Sequence, residues 1–136
     1  MAGSTGSMTI DESDVWRPTK VLQFTWVTGS SSQADVTPTT ATSGSYDGRI
    51  LAVITNPSTS AQPDDNYDIT ITDKNGFDLL NGSGANRDET NTEFLFNGST
   101  GAETVRMLPF SMTQLTLNIT NAGSEQEGIV TVYIGV

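Results

Sequence analysis

The residues best placed to do chemistry lie in acidic and glycine-rich segments. Asp73-x-Asn75-Gly76-x-Asp78 sets oxygen donors at a spacing that calcium could take from one loop. The EF-hand pattern, however, needs oxygen ligands at its first, third and fifth positions and glycine at its sixth. Here glycine comes fourth, and the segment reads as a hairpin turn, because Asn and Gly tolerate positive φ. Gly82-Ser83-Gly84-Ala85-Asn86-Arg87 has the glycine content of a phosphate cradle, but no Gly-Lys-Ser/Thr or strand-to-helix context follows. Asp88 and Glu89 come next, so this is read as a shaped surface loop. Carboxylate pairs such as Asp64-Asp65 and Asp88-Glu89 could serve acid–base work on glycosides. With 16 acids in the chain, though, any pair can be nominated, and solvated loops explain both. A serine nucleophile has no histidine to activate it, since His is 0, and no Gly-x-Ser-x-Gly elbow occurs. No catalytic, cofactor-binding or metal residue is nominated, and the expectation is that the chain is not an enzyme.

Composition narrows the partners. The 136 residues fit one domain. Six basic residues against 16 acidic ones give a net charge of −10, the wrong sign for nucleic acid or for anionic lipid. Cys is 0, which excludes disulfides and thiolate metal sites. No apolar run is long enough for a membrane-spanning helix. The segment MAGSTGSMTIDESDVW has neither a basic nor an apolar signal region, so the Asn-x-Ser/Thr triplets at Asn81, Asn97 and Asn118 are taken as chance. Ser and Thr together number 35, and Thr alternates with Val and Ile in runs that suit strands.

These runs supply the scaffold. Lys20 to Val27 places Leu22, Phe24 and Trp26 on one face, the two-residue period of a half-buried strand. Gly48 to Thr55 is a near-continuous apolar run suited to burial on both faces. Asn66 to Asp73 alternates Tyr67, Ile69 and Ile71 with polar residues, and Phe77 to Leu80 is expected to return as a short strand. Phe94 to Phe96, Leu115 to Ile119 and Ile129 to Val136 follow, with weaker patches at Asp35 to Thr37 and Met107 to Phe110. Residues 28–47 otherwise read as a polar loop. Seven or eight short strands without a helical stretch predict an all-β fold, a single β-sandwich or jelly-roll-like domain over residues 19–136.

Residues 1–18 read as an extended N-terminal arm. Its apolar residues are few, and Trp and Arg are favoured as interface anchors. Met8, Ile10, Val15, Trp16 and Arg17 are therefore the candidate partner contacts. Trp26 is expected in the core, and Tyr46 is the best exposed aromatic for stacking on a sugar.

Two segments, ITITDKNGFDLLNGSGANRDETNTE (69–93) and LTLNITNAGSEQEGIVTVYIGV (115–136), carry a resemblance. They resemble small structural proteins encoded among the head genes of tailed bacteriophages. In that group a Thr-Asp-x-x-Gly strand end, here Thr72 to Gly76, leads to a Gly-x-Gly-Ala-Asn-Arg loop, here Gly82 to Arg87, and the chain ends on a β-hairpin. An acidic β-domain of this size most resembles a capsid decoration, or cement, protein. The resemblance implies a homotrimer on the outer capsid surface of the virion that binds the major capsid protein and clamps neighbouring subunits, with no cofactor. A tail or head–tail connector component and a carbohydrate-binding β-sandwich module are the alternatives.

Overall fold

The computed structural model describes residues 6–29, 39–96, 98–100, 103–105 and 109–135. Among these residues nine strands run in chain order: β1 Ser7–Asp14, β2 Lys20–Val27, β3 Thr39–Pro57, β4 Asp68–Thr72, β5 Glu93–Phe96, β6 Gly98–Thr100, β7 Glu103–Val105, β8 Pro109–Thr120 and β9 Glu127–Gly135. No helix occurs among the described residues. Seven strands form one open antiparallel sheet, ordered β1-β2-β9-β3-β8-β4, with β5 pairing β3 off this path. The remaining two, β6 and β7, form a small separate hairpin.

The sheet curls. In the strand order β2 and β4 are separated by β9, β3 and β8, which in a flat sheet would put them about 19 Å apart. Yet the ring centroids of Trp26 on β2 and Tyr67, just before β4, are 5.7 Å apart. The 19-residue β3 makes this possible. Its first part, from Thr39 to Arg49, pairs with β8, and its second, from Arg49 to Pro57, pairs with β9. Register shifts at Thr42/Ser45, Tyr46/Gly48 and Ile50/Ala52 bend it between the two. The first bulge leaves the Leu115 amide facing the buried Ser43 hydroxyl, which accepts its hydrogen bond at 3.1 Å. One core fills the curl: Leu22, Phe24 and Trp26 from β2, Ile69 and Ile71 from β4, Leu115, Leu117 and Ile119 from β8, and Val130, Val132 and Ile134 from β9.

Several expectations change. Thr39 to Asp47 is strand rather than loop, because β8 runs alongside it and supplies the hydrogen bonds. Within the apolar run of β3, Leu51 and Ile54 stay half exposed, so burial is not complete on both faces. Phe77 to Leu80 forms turns instead of a return strand, touching β4 through a single bridge between Thr72 and Asp78. Residues 7–14, read as arm, form edge strand β1 paired with β2. The patches at Asp35 to Thr37 and Met107 to Leu108 lie outside the described residues.

Candidate interaction surface

The β1–β2 connection carries the most exposed aromatic of the described chain. β1 ends at Asp14 opposite Val21, and Val15 to Thr19 turn the chain between them. Trp16 at this turn is 72% exposed. The Arg17 guanidinium sits over its indole, 4.5 Å from the ring centroid, as a cation over the negative ring face. The Lys20 ammonium donates to the Arg17 carbonyl at 3.2 Å, tying the turn to β2. Beside the turn an open groove is lined by Asp14, Arg17, Pro18, Thr19, Val21 and Tyr133.

The five nominated contact residues separate into two sets. Trp16 and Arg17 are exposed together at the turn. Met8, Ile10 and Val15 are half-buried and pack against the hydrophobic core. The alternation of β1 explains this: Met8, Ile10 and Glu12 face inward while Thr9, Asp11 and Ser13 face out.

Glu12 is the residue that sequence reasoning missed. Its Oε1 accepts hydrogen bonds from the Gly44 amide at 2.8 Å and from the Tyr46 hydroxyl at 2.7 Å, both on β3. The carboxylate thus clasps β1 to the first part of β3, across the curl. Burial first, and then the hydrogen bond and charge of Glu12, push the Tyr46 phenol well above its ordinary 10. Tyr46 is half-buried with its hydroxyl engaged, which removes it as an open sugar platform. Only the alternation of Met8, Ile10 and Glu12 could have flagged Glu12, and it names no partner for the carboxylate.

The two loops with apparent chemistry are structural. Asp73 accepts from the amides of Asn75 at 2.9 Å and Phe77 at 3.0 Å, which closes the turn at Gly76. Asp78 accepts from the amides of Ile71 at 3.2 Å, Leu80 at 3.0 Å and Gly82 at 3.0 Å. The Gly82–Arg87 segment then lies along the outer edge of β4. The Ile69 amide donates to the Gly84 carbonyl at 2.9 Å, the Leu79 amide to the Ile71 carbonyl at 2.8 Å, and the Arg87 amide to the Tyr67 carbonyl at 2.7 Å. Gly84 is needed here because a Cβ would strike the Ile69 carbonyl oxygen. Arg87 folds back on the Ala85 carbonyl at 2.9 Å and pairs with Glu93 at 3.5 Å. Asp88 is a half-buried loop residue whose carboxyl is held below the usual range by the amides of Asn91 and Thr90. Among the described residues no group of three or more carboxylates gathers closely enough to hold a metal ion.

Comparison of the chain with protein families, with curated proteins and with solved structures finds no match.

Proposed function

We propose that this chain is a non-catalytic structural protein that docks on a larger assembly, the outer shell of a bacteriophage head, and stabilises it as a decoration protein. The observation that carries docking is Trp16: an indole 72% exposed at a short, tied turn, with a guanidinium stacked on it. Leaving so much apolar area in water is unfavourable, and Trp–Arg pairs are typical anchors of protein interfaces. The setting comes from the resemblance of residues 69–93 and 115–136 to head-cluster proteins. In this reading the two halves of the curled sheet act as the layers of a β-sandwich or jelly roll, a rigid body between shell contacts. The partner is the major capsid protein, and the working form is a homotrimer at the outer capsid surface, where three weak contacts add into avidity.

The stabilising effect is linkage: a ligand that binds only the assembled shell lowers the free energy of that state. The test is the melting temperature of undecorated heads of the encoding phage, with and without the purified protein. Heads should melt higher with the wild-type chain and show little gain with Trp16→Ala or Arg17→Glu. Both positions are exposed, so neither change should unfold the chain. Equal protection by all three proteins would remove the turn from the interface, and no protection by any would remove the function.

A further inference from the structure

We infer that the free edge of β1 accepts an extended, basic segment of another chain, which adds to the sheet as a further strand. The two ends of the sheet are finished differently. At β4 the outward amides of Ile69 and Ile71 and the outward carbonyls of Tyr67 and Ile71 are all bonded by the loop over residues 78–87. At β1 the side away from β2 has no strand partner among the described residues. Alternate residues of a strand turn their N–H and C=O groups to each side, so among the described residues the outward groups of β1 meet no further strand, although the Ser13 amide is taken by the Asp11 carboxylate. The regular pairing over Ser7 to Asp11 is the stretch that can template another strand, before the bulge between Asp11 and Asp14.

Charge selects the occupant. Asp11 and Asp14 are exposed on β1, while Glu12 is turned inward to Tyr46. A small depression over the β1–β2 pair, at the bulge, is lined by Asp11, Ser13, Asp14, Val21 and Gln23, a seat for a lysine or arginine side chain that reaches across β1 from the added strand. Hydrogen bonds from the Ser13 hydroxyl and amide hold the Asp11 carboxyl below the usual range, so it is charged at neutral pH. A second copy is the wrong occupant: the chain has a net charge of −10, and pairing β1 with itself gathers like charges across the new ladder. The acids that keep the edge from self-association are the ones that attract a cationic strand. This deepens the docking reading by naming the partner's chemistry, and it rests on that reading only for where such a segment is met.

The probe is a synthetic peptide alternating valine and threonine with lysine, titrated into the isotope-labelled full chain and followed by amide shifts and hydrogen exchange. A control peptide carries glutamate in place of lysine. The lysine peptide should shift and protect amides of residues 7–14, leave β4 unchanged, and weaken as salt rises. The glutamate peptide, and the lysine peptide against the double variant Asp11→Asn, Asp14→Asn, should bind about tenfold more weakly. No response at β1 up to millimolar peptide, equal binding of both peptides, or self-association of the free chain through β1 would each overturn the inference. Head stabilisation by a chain that ignores the peptide would refute the edge and leave the docking reading intact. Peptide binding without head stabilisation would do the reverse.

Discussion

Replacing Asp78 with alanine tests the idea that one carboxylate seals the β4 end of the sheet. Three amides lose their acceptor, those of Ile71, Leu80 and Gly82. Hydrogen bonds to a charged group contribute about 1.5–3 kcal/mol each, and neutral ones about 1 kcal/mol. The Gly82 bond is exposed, so that amide rehydrates at a cost of about 0.5 kcal/mol. Ile71 and Leu80 are core residues, each 0% exposed, and their orphaned amides account for about 2 kcal/mol each. The sum is about 4.5 kcal/mol, or a fall in Tm of about 18 °C for a domain of this size. Asp78→Asn keeps one acceptor oxygen and should lose about half as much. Calorimetry gives the Tm, and hydrogen exchange should show the Ile71 amide opening first. A fall of less than about 3 °C, with Ile71 protection unchanged, would refute the account of how this edge is closed.

Other perturbations probe separate parts of the fold. Gly128→Ala places a Cβ 2.5 Å from Cζ2 of Trp26, a ring with no exposed surface, and overpacking of this kind should cost about 1–3 kcal/mol in denaturant titration. Glu12→Ala removes both acceptor bonds of the β1 clasp and should cost about 1–2 kcal/mol, with exchange rising at residues 7–14 before the rest of the sheet. Burial, the largest cause, raises the Tyr67 phenol to about 12 from 10. Because the folded value is the higher one, stability is complete below pH 10 and is lost between pH 10 and about 12. The slope from this group is about 1.4 kcal/mol per pH unit at most, and Tyr67→Phe should flatten it in alkaline unfolding curves.

What the sequence shows of this fold is what periodicity can carry. Leu22, Phe24 and Trp26, or Leu115, Leu117 and Ile119, announce a strand and its buried face because each sits on a sheet with one wet side. Thr39 to Asp47 has no such apolar alternation, and it becomes strand only through its pairing with β8, a contact far away in sequence. Phe77 to Leu80 has strand-like residues, yet the Asp78 side chain supplies the acceptor that a neighbouring backbone would have given. The candidate surface is legible to a similar degree. An isolated Trp beside Arg and Pro in a polar stretch points to Trp16 and Arg17, and both are exposed at the turn. Met8 and Ile10 are equally apolar, but strand alternation turns them onto the core. The open edge of β1 is a property of the sheet order, which a local pattern does not contain.

The proposed docking is tested most directly by sedimenting undecorated heads of the phage that the proposal takes as the chain's source with increasing amounts of the full chain and measuring what co-sediments. The account predicts saturable binding that levels off at a fixed ratio, in multiples of three chains per site, and that is lost with Trp16→Ala. A chain that stays in the supernatant at every concentration would contradict it.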